Sequence, residues 1–442
     1  YFMMIKKHLL YLAFVILVFT SCENEKKSEH QVLHNNQVGR LVNKMGDIML
    51  HDVTNPPLAA RFFSYTFLAG YEILSQNDSS LTKLAGKLNK YPALSKPDSI
   101  TGYDYQVAAY LAMIETASKM QPTGANLKGL RDAFVDSCLA KGCTQETVDN
   151  SQRYASAISR EMLKYAKTDG YNKISNFPRY SPIEKEGYWF PTPPAFLGAV
   201  EPYFNTIRSF SLDSSNEFKP VPPAPFSTDK KSAFYAQMQT NYHEGKPFPA
   251  DSLLIAAYWD CNPFALQDGG HLQVGLKKIS PGAHWLGITG IACGKAGKSF
   301  TETVAIHTMV AISLMDGFLA CWDEKYRSNR IRPETAIRKY LDTDWKPLLQ
   351  TPPFPEYPSG HSTISAAAAT VLTHYLGENF AYTDTVEVKF GLPTRNFTSF
   401  MQAADEAGIS RLYGGIHFID AITNGRTQGI QVAEKVLKRV GD

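Results

Sequence analysis

The feature that most constrains this chain is a helical periodicity that one long proline-rich stretch interrupts. Apolar residues recur at three- and four-residue steps near residues 36–53, 57–76, 105–120, 124–140 and 145–167, and again near 250–260, 298–322, 361–376, 396–413 and 427–440. Alternating patterns typical of β-strands are scarce. The sequence therefore predicts an all-α fold of helical bundles, with two four-helix-bundle-like units.

The proline-rich stretch covers residues 178–230 and separates the two sets of helices. Its prolines exclude a long helix, and aromatic residues such as Trp189 and Phe204 need burial. We expect an extended connection wrapped over the surface, not a disordered linker. The predicted regions are an N-terminal helical region over 36–180 and a second helical region over 181–442.

The N-terminus has the pattern of an export signal. Lys6 and Lys7 precede an unbroken apolar run over residues 9–19, which is too short for a permanent membrane span. Residues 19–22 resemble a bacterial lipobox ending in Cys22, although Phe19 stands where leucine is usual. We expect a signal peptide over 1–21, a flexible tether over 22–35, and export either as a lipoprotein of the periplasm or outer membrane or as a secreted protein. A lipid anchor on Cys22 would be the only membrane attachment.

The charge and the cysteine content limit the kinds of partner, disulfide and metal site that this chain can have. The formal net charge is +3 and no polybasic block occurs, which argues against nucleic acid as a partner. No protein partner can be read from the sequence. Five cysteines follow Cys22; a bridge between Cys138 and Cys143 and a set of separate buried thiols both stay open. The absence of a CxxC pair argues against a structural zinc site.

Lys325 and Arg332 belong to the first of three segments suited to a tetrahedral oxyanion. They are seven positions apart, and Pro333 follows directly. On one helix this spacing would place both cations on one face, roughly 10 Å apart, able to hold an anion from two sides. We expect Pro333 to end that helix. Such a pair alone is also typical of a solvated helix face.

The second segment is Pro358-Ser359-Gly360-His361, followed by a helix rich in small residues. Gly360 beside a helix N-terminus lets backbone N–H groups approach an anion, and the Ser359 hydroxyl adds a donor. His361 would lie in the first turn, where its imidazole can exchange protons near neutral pH. An ordinary capped helix with an exposed histidine is the alternative.

The third segment joins Ser410-Arg411 to His417 across Gly414 and Gly415. A guanidinium offers forked donation to an oxyanion, and a neutral imidazole nitrogen can bond directly to phosphorus or vanadium. Asp420 lies three residues beyond His417 and could orient its other ring nitrogen. A lone histidine in a glycine-rich turn can equally be structural.

Together the three segments give the signature K-x6-RP, PSGH and SR-x5-H, in that order. This combination resembles the vanadium-dependent haloperoxidases and the related type 2 phosphatidic acid phosphatases and bacterial acid phosphatases. The phosphatase pattern continues H-x3-D, whereas Asp420 is one residue short of it. The aromatic, proline-bearing run over 352–357 and Trp322 favour the haloperoxidase branch, and the similarity covers roughly 185–440, most like exported bacterial iodoperoxidases.

The resemblance implies a site and a cofactor. Vanadate would bond to His417, and its oxygens would be held by Lys325, Arg332, Ser359, the Gly360 N–H and Arg411. His361 would serve as acid–base partner for hydrogen peroxide, with Lys325 as a second proton source. Trp322 and Phe354 would flank the halide, and Asp260 would pair with Arg411. The implied reaction is peroxide-dependent oxidation of a halide, with iodide favoured and bromide next, to hypohalous acid.

Two other functions fit parts of the pattern. A soluble acid phosphatase would use His417 as nucleophile and His361 to protonate the leaving group. A non-catalytic oxyanion-binding lipoprotein would keep the cations but would have no use for the His361 proton relay.

Overall fold

The computed structural model describes residues 33–244, 250–268, 273–275 and 278–441. The predicted signal peptide, Cys22 and the tether up to residue 32 lie outside these residues. The α-helices of the described chain are α1 Asn36–His51, α2 Pro56–Asn77, α3 Tyr105–Met120, α4 Lys128–Ala140, α5 Gln145–Lys167, α6 Ala233–Glu244, α7 Ala250–Tyr258, α8 Pro281–Lys295, α9 Phe300–Ser328, α10 Pro333–Tyr340, α11 Gly360–Leu376, α12 Phe400–Tyr413 and α13 Ile419–Val440.

Strands are few in the described part of the chain. Leu266–Asp268 pairs antiparallel with Gln273–Gly275, and Tyr382–Asp384 pairs antiparallel with Arg395–Phe397. Each pair forms a separate two-stranded sheet beside the helices. The prediction of an all-α fold is confirmed.

Three helices lack a counterpart in the sequence prediction, namely α6, α8 and α10. The α8 sequence is apolar and small-residue-rich on nearly every side, so it has no amphipathic period to detect. In α10, Pro333 is the first helical residue, where its missing N–H costs nothing. The expectation that Pro333 only ends a helix is therefore wrong: it begins one.

Helix α9 is the centre of the main hydrophobic core. It is the one helix among the described residues that is long and apolar enough to cross a membrane, and 94% of its most apolar window is buried inside the protein. That burial is typical of a core helix. The hydroxyl of Ser64 on α2 donates to the Ala311 carbonyl of α9 at 2.8 Å, which shows how closely the two helices pack.

The helices before and after residue 180 share this core. The described residues from 33 to 441 belong to one compact unit by their internal contacts, and the helices on both sides of residue 180 contribute to it. The physical reason is that α9 packs on α2 as well as on α11 and α13.

The proline-rich connection is extended and fixed to the core. Trp189 and Phe204 are 1% and 0% exposed, while Phe190 and Phe196 point outward at 49% and 58%. The Trp189 N–H donates to the Asn329 carbonyl at the end of α9 at 2.7 Å. The connection therefore wraps over the surface, although only part of its aromatic set is buried.

Close helix contact positions the start of α11. A Cβ on Gly429 of α13 would lie 2.1 Å from the Thr363 carbonyl oxygen, and one on Gly425 would lie 2.8 Å from the Ser359 carbonyl oxygen. Only glycine permits that approach, so α13 fixes the serine–glycine turn from behind. Among the described cysteines no disulfide forms, and Cys138 and Cys143 remain thiols.

Candidate active site

The first cationic segment is built differently from the sequence prediction. Helix α9 ends at Ser328, where Asn329 adopts a left-handed conformation with φ of 48°. Arg332 is the N-cap residue of α10 and has extended backbone geometry. Lys325 and Arg332 therefore reach the site from two different elements, and the expectation that they share one helix face is wrong.

The Lys325 ammonium is fully buried and lies beneath the proline-bearing loop that precedes α11. It donates to the backbone carbonyls of Pro355 at 3.0 Å, Glu356 at 3.0 Å and Pro358 at 2.5 Å. All three ammonium protons are thus directed at carbonyls. The lysine fixes this loop, and it contributes positive charge close to Gly360, where a Cβ would lie 4.0 Å from the lysine Cε.

Arg332 and His417 are directly adjacent. The Arg332 guanidinium donates through Nε to the Phe354 carbonyl at 2.9 Å and through Nη1 to the Ile416 carbonyl at 2.9 Å. The same Nη1 lies 3.2 Å from His417 Nε2. Arg332 Nη2 is buried without a hydrogen-bond partner among the described residues. This donor is available to an oxyanion at the His417 ring.

The carboxylate that orients His417 is Glu356, not Asp420. Glu356 Oε1 lies 2.9 Å from His417 Nδ1 and also accepts the Phe418 N–H at 2.9 Å. Asp420 instead accepts from Arg330 Nη1 at 2.7 Å and from the Ala224 N–H at 3.1 Å. The expected role of Asp420 is corrected, because its position in the first turn of α13 directs it to Arg330.

Glu356 was missed as a functional residue in the sequence. It is 0% exposed, and Arg330 Nε approaches its second oxygen at 3.4 Å. A buried carboxylate beside a histidine commonly fixes the ring tautomer, here with a proton on Nδ1, so that Nε2 is the acceptor nitrogen that Arg332 Nη1 approaches at 3.2 Å. Glu356 belongs to the aromatic, proline-bearing run over residues 352–357 that the sequence singles out. Sequence spacing cannot show, however, that its side chain reaches His417, sixty-one positions away.

Ser359 and Gly360 form the N-terminus of α11. Ser359 Oγ accepts the Ser362 N–H at 3.3 Å and so caps the helix, while its own hydroxyl proton stays available for another acceptor. Gly360 is the first helical residue and lines the pocket, so its N–H has no partner within the helix. These donors and the helix dipole favour an anion here.

Arg411 and His361 share a backbone acceptor at Trp259. Arg411 Nη2 donates to the Trp259 carbonyl at 2.6 Å, and His361 is hydrogen-bonded to the Trp259 main chain. His361 Nε2 is buried without a hydrogen-bond partner among the described residues. The Trp259 backbone therefore fixes both side chains and leaves one imidazole nitrogen facing the pocket.

Asp260 does not form the expected ion pair with Arg411. Its carboxylate pairs with Lys278, while its negative charge still acts to raise the pKa of Arg411 against the lowering effect of burial. Asp260 thus remains next to the site as a charge, with a different partner. The lysine was not a candidate in the sequence because nothing in its spacing distinguishes it.

Two aromatic rings form the apolar wall. The Trp322 and Phe354 ring centroids are 5.0 Å apart, and both residues line the pocket. Lys325 Nζ lies 5.1 Å from the Phe354 ring centroid, and the Arg332 guanidinium carbon lies 5.0 Å from it. The wall therefore shields two cations from water and leaves their charge directed toward the pocket.

Burial sets the protonation of the basic groups. It lowers the pKa of Lys325 to about 7 and that of Arg332 to about 10. Burial, followed by the neighbouring cations, holds the pKa values of His361 and His417 well below their usual range. Both imidazoles are thus neutral at neutral pH, as a proton acceptor and a ligand nitrogen must be.

The pocket brings the three segments together. Gly360, His361, Arg411 and His417 line it, and Arg332 and Lys325 lie immediately behind His417 and Gly360. The side chains that the sequence singled out for the oxyanion therefore share one site. Chemically, the arrangement combines buried cations, unpartnered donors and a neutral imidazole with one nitrogen fixed.

Comparisons with known proteins agree with this geometry. A family model described as the VCPO second helical-bundle domain matches residues 305–442, which contain all three segments. A curated vanadium chloroperoxidase of Curvularia inaequalis is 22% identical over 413 residues, covering 80% of this chain; the chain spans 66% of that protein's length.

Two solved structures are also similar. A bacterial vanadium-dependent iodoperoxidase is 39% identical, with a TM-score of 0.87, over 93% of this chain and 98% of that one. A bacterial vanadium-dependent chloroperoxidase in its holo form is 13% identical, with a TM-score of 0.68, over 94% and 100% of the two chains, and this likeness shows the fold alone.

Proposed function

Because this chain belongs to the vanadium-dependent haloperoxidases, we propose that it holds vanadate at His417 and uses hydrogen peroxide to oxidise halide, with iodide as the preferred substrate. The observation that carries the proposal is the His417 ring: Glu356 occupies Nδ1 at 2.9 Å, burial keeps the imidazole neutral, and Nε2 is left facing buried donors. Such a nitrogen is a metal ligand with its orienting carboxylate already in place.

The residues present fit an oxyanion. Lys325, Arg332 and Arg411 are buried cations whose hydrogen-bond acceptors are mostly neutral carbonyls, and Arg332 Nη2 has no acceptor in the described structure. Glu356 and Asp260 supply negative charge nearby, but no carboxylate is directly paired with any of these three cations in the described structure, so an anion in the pocket would be stabilised. His417 Nε2 would bond to vanadium, while Arg332, Ser359, the Gly360 N–H and Arg411 would hold its oxygens.

Each side chain has a defined task in this proposal. When bound, vanadate would supply a Lewis-acidic centre that activates peroxide for attack by halide without a change in its own oxidation state. His361 Nε2, unpartnered and neutral, would accept a proton from the incoming peroxide and pass it to the departing hydroxide, which leaves as water. Lys325 supplies charge from behind the loop, and it can donate into the pocket only by releasing one of its three carbonyls.

Iodide as the preferred halide rests on two observations. The similar iodoperoxidase is 39% identical over nearly its whole length. The Trp322–Phe354 wall presents an apolar, polarisable surface beside the cations, which suits a large and weakly hydrated anion. The overall reaction consumes hydrogen peroxide, iodide and one proton and yields hypoiodous acid and water.

One experiment tests cofactor and reaction together. Purified protein, stripped of vanadium and then incubated with or without orthovanadate, is assayed with peroxide and iodide, bromide or chloride, and separately with a phosphate ester. We expect triiodide formation only after vanadate loading, with iodide turned over fastest. Ester hydrolysis that vanadate inhibits, without halide oxidation, would instead identify an acid phosphatase with His417 as nucleophile. Faster turnover of bromide or chloride would contradict the iodide preference alone.

We also propose that the protein is exported and attached to a membrane through Cys22. The apolar run over residues 9–19 and the small residues before Cys22 support this proposal. Mass spectrometry of the mature N-terminus in a bacterial host tests it: a lipid-modified Cys22 is expected, and an intact leader would contradict it.

A further inference from the structure

We propose that a second metal site, for a zinc ion, lies in the wall behind the active-site pocket. Its ligands are Cys261, His284 and Glu387, whose ligand atoms all lie within 4.8 Å of one another. The three residues are far apart in sequence: Cys261 follows α7, His284 is in the first turn of α8, and Glu387 is in the 3-10 helix Val386–Phe390. The absence of a CxxC pair, which in the sequence argues against a structural zinc site, therefore concerns only ligands that lie close together in sequence.

The ligand spacing matches a four-coordinate zinc ion. With Zn–S of about 2.3 Å, Zn–N and Zn–O of about 2.0–2.1 Å and tetrahedral angles, a bound sulfur and nitrogen lie about 3.6 Å apart and a bound nitrogen and oxygen about 3.3 Å apart. Cys261 Sγ lies 3.7 Å from His284 Nδ1, and Glu387 Oε1 lies 3.0 Å from the same nitrogen. A single enclosed water can complete the coordination.

The second observation is the way His284 and Glu387 are held. Asp384 Oδ2 lies 2.7 Å from His284 Nε2, and Asp384 is itself fixed by the Val386 N–H at 2.9 Å. A carboxylate on the far nitrogen is the usual outer partner of a metal-bound histidine. Glu387 Oε1 is buried and lies 3.0 Å from His284 Nδ1, with no other hydrogen-bond donor among the described residues. A buried carboxylate oxygen and a thiol sulfur that both approach the same ring nitrogen are placed to share one metal ion with it.

The chemistry of the ligand set favours zinc over a harder ion. One thiol sulfur, one imidazole nitrogen and one carboxylate oxygen face one another, and all three residues are buried. Zinc binds cysteine, histidine and carboxylate ligands together, whereas magnesium and calcium prefer oxygen ligands alone.

The expected role of this metal is structural. Trp259 stacks on His284 with ring centroids 4.7 Å apart, and the Trp259 carbonyl accepts from Arg411. Cys261 lines the active-site pocket itself. Zinc would thus link three elements: the segment after α7, helix α8 and the 3-10 helix Val386–Phe390. It would also hold in place the Trp259 backbone that positions Arg411.

Metal analysis and cobalt spectroscopy on vanadate-free protein test the site without relying on activity. Protein expressed with zinc should retain about one equivalent after dialysis, and stripped protein should bind Co²⁺ with a thiolate charge-transfer band. Cys261→Ser should lose that band and weaken metal binding by at least about 100-fold, because even outer-shell changes cost about 10–100-fold. Cys293→Ser, at a buried thiol outside the cluster, is the matched control and should keep both.

Two results would overturn the proposal. One is folded wild-type protein that neither retains zinc nor shows the cobalt band. The other is a Cys261→Ser variant that binds metal as tightly as Cys293→Ser. If Cys261→Ser does not fold, the isosteric Glu387→Gln carries the test: a weakening of at least about tenfold supports the site, and unchanged affinity overturns it.

Discussion

The hydrogen bond from His417 to Glu356 gives the sharpest prediction about vanadate binding. In Glu356→Gln the amide oxygen can still accept from His417 Nδ1 and the Phe418 N–H, so the ring orientation is retained. The negative charge is lost, and this charge raises the pKa values of both Lys325 and Arg332. Outer-shell changes of this kind cost about 10–100-fold in affinity, or about 1.4–2.8 kcal/mol. With the acceptor preserved, we expect the lower end, about tenfold.

Glu356→Ala removes acceptor and charge together. It leaves His417 Nδ1, the Phe418 N–H and Arg330 Nε facing a cavity, so vanadate affinity should fall by about 100-fold or more. Breaking a buried charge pair should also lower the free energy of unfolding by about 3–5 kcal/mol. Equilibrium dialysis with elemental analysis of vanadium gives the affinity, and thermal unfolding gives the stability.

Asp420→Asn is the matched control for this series. It removes the same charge from the other carboxylate partner of Arg330, which contacts Arg330 and not the His417 ring, and vanadate affinity should change at most a few-fold. The reasoning is refuted if Glu356→Gln binds vanadate as tightly as the wild type, or if Asp420→Asn weakens binding equally.

Three further predictions concern the same pocket. His417→Ala should abolish vanadate retention on dialysis, because the one protein bond that we propose for vanadium is lost; retention at wild-type affinity would contradict His417 as the ligand. His361→Ala should keep vanadate but lower kcat for iodide oxidation by about 10²–10⁴-fold, as for a lost general acid–base group, and an unchanged kcat would exclude it from proton transfer. Because burial lowers the Lys325 pKa to about 7, the lysine is charged below that pH and neutral above it, so vanadate affinity should fall by up to about tenfold per pH unit above pH 7. Calorimetry at pH 8, corrected for titration of free vanadate, should show proton uptake, and its absence would contradict this assignment.

The sequence predicts features that depend on neighbouring residues, such as helices and helix starts. It does not predict which side chains far apart in sequence contact each other. The periodic helices and the Ser359–Gly360 helix start depend on local spacing, so they appear in the structure nearly as expected. Helix α8 was missed because it is buried on almost every side. The prediction that Lys325 and Arg332 share one helix was wrong because the helix ends before Asn329. No spacing rule indicates the left-handed backbone conformation of that residue.

The corrected partners follow one physical rule. The sequence predicts that Asp420 orients His417, which it follows closely, and the resemblance implies that Asp260 pairs with Arg411. The structure instead pairs Asp420 with Arg330 and Asp260 with Lys278. A carboxylate in a packed interior takes the partner that relieves its desolvation best, and that partner is set by how helices cross. Glu356 reaches His417 because Lys325 binds the loop carbonyls on either side of it.

The loop over residues 352–357 helps to explain why one oxyanion-binding site could serve either halide oxidation or phosphate ester hydrolysis. A neutral histidine with its Nδ1 on a carboxylate is equally prepared to attack phosphorus or to bind vanadium, and buried cations stabilise either five-coordinate arrangement. Beside these cations the pocket has the Trp322–Phe354 wall, whose ring centroids are 5.0 Å apart. A phosphate ester leaving group needs polar contacts and room for its alcohol at that wall, whereas a large halide needs only an apolar surface near positive charge. We therefore propose that the aromatic wall, more than the cations, favours halide oxidation over ester hydrolysis at this site.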